Sequence, residues 1–77
     1  MKQNITLLNI ATNIRRVRES KAYSQEYMAA KMGMSQNGYS KIELNYTRLT
    51  VERLLAIAGL LETDAMDLLR SESIKAA

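Results

Sequence analysis

Residues 24–44 read SQEYMAAKMGMSQNGYSKIEL, and this stretch decides the fold. Ser24 is a good N-cap, because its hydroxyl can accept a hydrogen bond from a backbone N–H that the first turn of a helix leaves unpaired. Gly33 follows the apolar stripe of that helix and adopts, at little steric cost, the left-handed conformation that ends helices. Ser35 is a second N-cap candidate two residues later. The stretch therefore predicts two short helices joined by a tight elbow.

Apolar residues on both sides of the elbow recur at helical spacing. Upstream, one such stripe predicts a first helix that runs to about Glu19: Leu7, Ile10, Ile14 and Val17. Downstream, Thr50 can cap a fourth helix. The positions of that helix that we expect in the core are Val51, Leu54, Leu55, Ala58 and Leu61.

A short fifth helix follows, with its cap at Thr63 or Asp64. Leu68 and Leu69 of this helix are predicted to face the core. With no Pro and three Gly in 77 residues, few breakers interrupt these helices, and the predicted fold class is all-α. We expect one compact domain over residues 1–70 and a tail over residues 71–77.

The composition excludes several classes of protein. The chain has no Cys and no His, which removes disulfides, thiolate chemistry and the usual metal ligands, so we expect no metal, no cofactor and no enzyme. No apolar run approaches the ~20 residues of a membrane span, and the N-terminus lacks the apolar stretch of a signal peptide. The sequence therefore predicts a cytoplasmic protein with no membrane partner.

Charge is distributed unevenly along the chain. Residues 1–48 carry eight Lys or Arg against three acidic residues, a local charge of +5, whereas residues 49–77 carry three against five, a local charge of −2. A basic N-terminal part suits a polyanion, and a nearly neutral remainder suits a core or a contact with a partner. Charge alone also allows an ordinary solvated surface.

Six groups of residues along the chain form a recognisable pattern. They are Ile10 with Ile14, Arg15 and Arg18; Ser24 to Glu26 with Met28 and Ala29; Gly33 to Ser35; Ser40 to Glu43; Leu54 to Ala58; and Asp67 to Leu69. This pattern resembles the Xre/Cro phage-repressor-like helix-turn-helix family over roughly residues 10–69. The resemblance implies a five-helix, lambda-repressor-like DNA-binding domain whose helix-turn-helix, residues 24–44, is formed by the second and third helices.

The chain departs from the family pattern at several positions. Tyr39 stands where a β-branched aliphatic residue is usual, so its pocket must be roomier or must give the hydroxyl a partner. Asn45 replaces the usual Gly after the third helix, and Asn tolerates the left-handed conformation. Glu62 replaces a frequent Gly after the fourth helix. Gly38 inside the third helix costs about 1 kcal/mol relative to Ala.

A helical wheel divides the third helix into an outward arc and a buried arc. The outward arc contains Gln36, Asn37, Ser40, Lys41 and Leu44. In a helix-turn-helix the second helix of the elbow lies in the major groove, with its N-terminal residues nearest the base edges. We predict that Gln36, Asn37, Ser40 and Lys41 read bases, because amides suit adenine and a lysine suits guanine. Leu44 is a candidate for contact with a thymine methyl group.

Phosphate contacts are predicted beside this arc. The resemblance implies that Gln25, at the start of the second helix, grips the DNA backbone. The other predicted phosphate contacts are Ser35, Tyr46, Thr47 and Arg48. The resemblance also implies an internal ion pair between Arg18 and Glu43, with a structural role.

The predicted function is a sequence-specific transcriptional regulator that binds double-stranded DNA at the nucleoid. We expect a repressor that occupies a pseudo-palindromic operator as a homodimer, with half-sites about 34 Å apart. The dimer contact would use the fifth helix, the tail or the exposed side of the fourth helix. Two alternatives stay open: an antitoxin that neutralises a toxin protein and regulates its own gene, and a module that bridges proteins without DNA.

Overall fold

The computed structural model describes the backbone of residues 7–70 and the side chains of residues 9–70. That part contains five helices and no strand: α1 Leu7–Ser20, α2 Gln25–Lys31, α3 Gln36–Glu43, α4 Val51–Leu61 and α5 Ala65–Leu69. None of these helices combines the length and the apolar composition of a membrane span. The predicted all-α, five-helix fold is confirmed. The predicted tail, residues 71–77, and the side chain of Leu7 lie outside the described residues.

Four of the helices begin at a side chain that accepts a hydrogen bond from the first turn. The caps of α2 to α5 are Ser24, Ser35, Thr50 and Asp64, with donor–acceptor distances of 2.9–3.1 Å. These bonds satisfy N–H groups that have no partner inside the helix. Every predicted cap is confirmed, and of the two candidates for α5 the protein uses the carboxylate.

Four helices also end in the same way, with a residue in the left-handed conformation. Gly33 follows α2 at a φ of 69°, as predicted, and Ala22, Asn45 and Glu62 adopt φ values of 60°, 61° and 55° after α1, α3 and α4. In each case the next residue donates its N–H to a carbonyl five residues back, at 2.9–3.2 Å. A side chain in this conformation costs roughly 1–2 kcal/mol. The ends of α1 and α4, at Ala22 and Glu62, therefore carry a local penalty that packing has to offset, whereas Asn45 after α3 tolerates this conformation.

All five helices contribute to one core. Its buried residues are Ile10, Ile14, Val17, Met28, Ala29, Tyr39, Ile42, Leu54, Ile57, Ala58, Leu61 and Leu68. Helix α2 packs mainly on α3, while α1 contacts α3, α4 and α5. The second helix of the elbow thus rests on α1 and α2 with one face and leaves its opposite face outward.

The prediction for the core face of α4 is partly wrong. Val51 and Leu55 are 72% and 57% exposed, whereas Ile57, which we did not expect in the core, is fully buried. The helix reads VERLLAIAGLL, with apolar residues on nearly every side, so its pattern does not single out one face. Packing against the other helices decides which face of α4 is buried, and it leaves the side chains of Val51 and Leu55 exposed to solvent.

Asn13 is a buried polar residue on α1 that sequence reasoning missed. It is 2% exposed, and its Nδ2 donates to the backbone oxygens of Leu68 at 3.1 Å and Arg70 at 2.9 Å. These carbonyls lie at the end of α5, where the helix offers them no partner. Asn13 therefore attaches the end of α5 to α1.

Replacing Gly59 with alanine is expected to raise the free energy of unfolding by about 1 kcal/mol, because Gly is the weaker helix former. Gly59 lies inside α4, and an added Cβ would meet nothing within 4 Å. Urea denaturation of both proteins measures the difference. Gly33→Ala is the matched control: its site is equally open but has a φ of 69°, so that variant should lose stability. A loss for Gly59→Ala would contradict the prediction.

Candidate nucleic-acid interface

Helix α3 has two contrasting faces. Tyr39 and Ile42 are 0% and 2% exposed on the core side. On the other side Gln36, Asn37 and Lys41 are exposed, and Ser40 is half-buried. The predicted division of the helix into a buried and an outward arc is confirmed. Leu44, which caps the C-terminus of α3, is 52% exposed and extends the outward face.

The charges of α3 are arranged so that only the positive one faces outward. The helix contains one lysine, Lys41, and one carboxylate, Glu43. Lys41 is exposed and forms no ion pair with any residue from 7 to 70, whereas Glu43 is buried against Arg18. A polyanion approaching the outward face of α3 would meet amides, a hydroxyl and an ammonium group.

Glu43 accepts hydrogen bonds from three side chains, which with it form what we call the Glu43 cluster. Arg18 donates from Nε to Oε2 at 2.7 Å and from Nη2 to Oε1 at 3.0 Å. The Tyr39 hydroxyl donates to Oε2 at 2.6 Å, and Gln25 Nε2 donates to Oε1 at 3.1 Å. Arg18 also donates from Nη1 to the Tyr23 carbonyl at 2.8 Å. The hydroxyl of Tyr39 thus has the partner that its unusual position requires.

The cluster shifts the ionisation of its members. Burial raises the pKa of Glu43, but the hydrogen bonds from Arg18, Tyr39 and Gln25 lower it by more, and the net result is a pKa below the ordinary value. Burial and the hydrogen bond to Glu43 raise the pKa of Tyr39. The bond to Glu43 likewise raises the pKa of Arg18, against the opposing effect of burial. At neutral pH the cluster therefore holds one carboxylate, one guanidinium and one neutral phenol.

Stability is expected to fall at acid pH because of Glu43. Its pKa is lower in the folded protein than in the unfolded chain, so at acid pH the folded state binds fewer protons than the unfolded chain does. The stabilisation is complete above the unfolded pKa of about 4.3 and is lost as the pH falls through the lower, folded value. Urea denaturation between pH 7 and pH 2 at constant ionic strength measures this loss.

The Glu43→Gln variant is the reference for that titration. It lacks the ionising group, so its stability should depend less on pH below about 4.3. The other carboxylates of the chain are present in both proteins, so their contributions cancel in the comparison. Parallel pH profiles for the two proteins would show that Glu43 does not carry the effect.

The residues predicted to contact phosphate lie on three segments. Gln25 is half-buried at the first position of α2, and Ser35 is exposed at the cap of α3. Tyr46 and Arg48 are exposed and Thr47 is half-buried in the loop from α3 to α4. Because Gln25 contacts Glu43, the last residue of α3, it lies beside the point where that loop begins.

The outer side of α2 has an aromatic arrangement that sequence reasoning missed. The rings of Tyr23 and Tyr27 have centroids 4.7 Å apart, and Lys31 Nζ lies 5.7 Å from the Tyr27 centroid. The spacing of four residues between successive members was the available signal, since such residues share a helix face. These contacts connect α2 to the turn that precedes it.

The sequence did not suggest a metal centre, and residues 7–70 contain no group of acidic side chains that could hold a metal ion. Arg15 and Arg16 of α1 are exposed. Arg15 is paired with Glu19 at 3.2 Å. Arg16 forms no ion pair within the described residues, so its charge is less neutralised than that of Arg15.

Comparison with known proteins agrees with this geometry. A family model described as Helix-turn-helix matches residues 14–68. A similar solved structure is the crystal structure of SinR, the master regulator for biofilm formation, in complex with DNA. The two share 30% sequence identity with a TM-score of 0.69, over 78% of this chain and 97% of the other. No curated protein matches the chain.

The shared architecture confirms the lambda-repressor-like all-α fold. The family match spans both helices of the elbow and the core of α1, α4 and α5. The chain belongs to the Xre/Cro-like helix-turn-helix family.

Proposed function

We propose that this chain is a sequence-specific transcriptional regulator that binds double-stranded DNA through α3. The observation that carries the proposal is the outward face of this helix, where Gln36, Asn37 and Lys41 are exposed opposite a fully buried face. The major groove of B-DNA, about 12 Å wide, admits a helix with such a face. Membership of the family and the likeness to SinR, solved in complex with DNA, support the proposal.

The proposed base contacts follow from the chemistry of each side chain. Gln36 and Asn37 occupy the first turn of α3, and each amide can donate and accept together, which matches N6 and N7 of adenine. Lys41 can donate to O6 or N7 of guanine. Ser40 is half-buried between them and reaches less far, and the exposed Leu44 suits a thymine methyl group.

The proposed phosphate contacts surround this face. The second amide N–H of Gln25, the Ser35 hydroxyl, and the loop residues Tyr46, Thr47 and Arg48 are the donors. Ser35 already accepts a hydrogen bond from the N–H of Gly38, so it would act on phosphate through its own proton. Arg48 is the strongest of these donors, because it is exposed and makes no ion pair within the described residues.

We further propose that the protein acts as a repressor, as a homodimer on a pseudo-palindromic operator at the nucleoid. The support is a set of large apolar residues exposed on α4 and α5: Val51, Leu55 and Met66, at 72%, 57% and 62%. Exposed side chains of this kind suit a protein contact. An antitoxin would use the same residues for its toxin. Sedimentation of the protein with and without duplex DNA measures whether two copies associate. A dimer supports the contact with a second copy, and a monomer in both conditions supports a different partner protein.

Selection of bound sequences from random duplex DNA tests the proposal. An enriched, two-fold symmetric sequence supports a dimeric regulator, whereas an enriched half-site without symmetry supports a monomer. Titration of the best site at several salt concentrations then gives a log–log slope near −0.9 for each phosphate neutralised on B-DNA. Failure to enrich any sequence at low salt would favour the protein-bridging alternative.

Gln36→Ala and Arg48→Ala are expected to weaken binding in different ways. Gln36→Ala should lose about 1–3 kcal/mol of discrimination at one base position, because its amide reads one base pair. Arg48→Ala should weaken all sequences alike and reduce the salt slope by about one phosphate. Measured dissociation constants on the selected site and its single-base variants separate the two patterns.

Arg70→Ala is the matched control for Arg48→Ala. Arg70 is exposed and pairs with Asp67 at the end of α5, away from α3 in the chain. Its removal changes the net charge equally but removes no proposed contact, so affinity should change little. An equal loss in both variants would show that net charge, and not a contact by Arg48, controls the affinity.

A further inference from the structure

Gln25 and Glu43 connect the two helices of the elbow. Gln25 is the first residue of α2, and its Nε2 donates to Oε1 of Glu43, the last residue of α3, at 3.1 Å. The two residues are 18 positions apart in the chain. A phosphate that took this N–H would therefore compete with a hydrogen bond that the folded protein already makes.

The carboxylate that receives this bond is held in place from other directions. Arg18 donates to both of its oxygens, at 2.7 and 3.0 Å, and the Tyr39 hydroxyl donates at 2.6 Å. Glu43 is 8% exposed, and Tyr39 is fully buried. Bidentate, charge-assisted bonds of this kind set geometry as well as strength. Gln25 thus faces an acceptor that is fixed by α1 and by the interior of α3.

The amide of Gln25 has capacity left for a second partner. A primary amide carries two N–H groups, and Glu43 uses one of them. No acceptor within the described residues takes the other. Because the amide is planar, bonding one N–H restricts the direction of the second.

The charge of the cluster does not oppose an anion at this position. An uncompensated carboxylate next to a phosphate-binding amide would repel DNA. Arg18 is bonded to both oxygens of Glu43, and the pair carries no net charge. The cluster therefore presents an oriented N–H donor at the start of α2 without an opposing negative charge.

We infer that Glu43 is a positioning residue for phosphate binding: it holds the Gln25 amide in the orientation in which its second N–H meets a DNA phosphate oxygen. The inference rests on the proposed function. A glutamine side chain has several flexible bonds, and ordering them before DNA arrives removes an entropic cost from the binding step. In this arrangement the buried ion pair between Arg18 and Glu43 also orients the Gln25 side chain for its contact with phosphate.

A double-mutant cycle on DNA affinity tests the inference. The four proteins are wild type, Gln25→Ala, Glu43→Gln and the double variant, each measured on the selected duplex well below its unfolding temperature. Glutamine at position 43 keeps the shape but has one acceptor oxygen, which Arg18 is expected to take. Gln25→Ala should weaken binding about tenfold, and Glu43→Gln about threefold to tenfold.

The effect of Glu43→Gln in the Gln25→Ala protein shows whether Glu43 acts by positioning Gln25 or only by stabilising the fold. In the Gln25→Ala protein, adding Glu43→Gln should change affinity by less than about twofold, because the side chain that Glu43 orients is gone. Equal factors in both backgrounds would overturn the inference and leave Glu43 with a structural role alone. If wild type binds no duplex, the proposed function itself fails. Equal factors on a duplex that wild type does bind overturn the inference alone, so the two failures are distinguishable.

Asn13→Ala controls for loss of stability. It removes two hydrogen bonds between α1 and the end of α5, one buried and one partly buried, and it removes no proposed contact with DNA. Its affinity should match wild type at temperatures where the fold is intact. If this variant loses as much affinity as Glu43→Gln, destabilisation explains the loss and the inference is overturned.

A spectroscopic measurement on the unmodified protein covers the case in which Glu43→Gln does not fold. The two side-chain amide protons of Gln25 give separate NMR signals. Without DNA, the proton bonded to Glu43 should exchange more slowly than its neighbour. On binding, this signal should persist while the other proton becomes protected. Disappearance of the slow proton on binding would mean that Gln25 leaves Glu43, which would overturn the inference.

Discussion

Arg18→Ala is expected to lower the free energy of unfolding by about 3–5 kcal/mol, because it leaves the buried carboxylate of Glu43 without its charged partner. The side chain of Glu43 is 2% exposed, so water does not replace the guanidinium. The Tyr23 carbonyl loses its donor in the same variant. Urea and thermal denaturation measure the loss, and binding at low temperature should keep its sequence preference.

Arg15→Ala is the matched control for Arg18→Ala. Arg15 lies on the same helix and pairs with Glu19 at 3.2 Å, but the two side chains are 61% and 52% exposed. An exposed pair of this spacing contributes about 0.3–0.5 kcal/mol. A small loss for both variants would show that Glu43 finds other compensation, and it would contradict the assignment of a buried ion pair.

Tyr39→Ala should cost about 3–5 kcal/mol, as other truncations of buried aromatic residues do. The ring fills the fully buried space under α3, and its removal would leave a cavity between α3 and the rest of the core. Denaturation with urea measures the change, with the slope of the transition as a check that the folded state stays compact.

Tyr39→Phe separates the ring from the hydroxyl. It keeps the packing but removes the 2.6 Å bond to Glu43, so the carboxylate loses one of its four hydrogen bonds. We expect a cost of about 1–3 kcal/mol, smaller than that of Tyr39→Ala. A variant as stable as wild type would mean that the phenol contributes through packing only.

Local chemistry was sufficient to predict the helices. The caps at Ser24, Ser35, Thr50 and Asp64 and the turn at Gly33 depend on residues within one helical turn of each other, which a sequence displays directly. The division of α3 succeeded for the same reason. Its polar and apolar residues alternate with the period of a helix, so the pattern had one solution.

Contacts between helices were less accessible from sequence. In α4 the apolar residues surround the helix, and only packing decides that Ile57 is buried while Val51 and Leu55 are not. Asn13 sits among apolar residues, and its role depends on carbonyls 55 and 57 residues away. The bond between Gln25 and Glu43 spans 18 residues and involves two polar side chains that solvent would satisfy equally well.

The left-handed ends of α1, α3 and α4 affect whether the elbow, residues 24–44, could fold as an isolated peptide. Helices of seven and eight residues, the lengths of α2 and α3, are marginal in water on their own. Asn45, whose left-handed conformation ends α3, lies just outside residues 24–44, and Tyr39 needs α1 to complete its surroundings. A peptide of residues 24–44 would retain every proposed base-reading side chain and lose the angle between its helices. The proposed recognition of DNA therefore depends on the whole domain, and grafting the elbow onto another protein would require α1 as well.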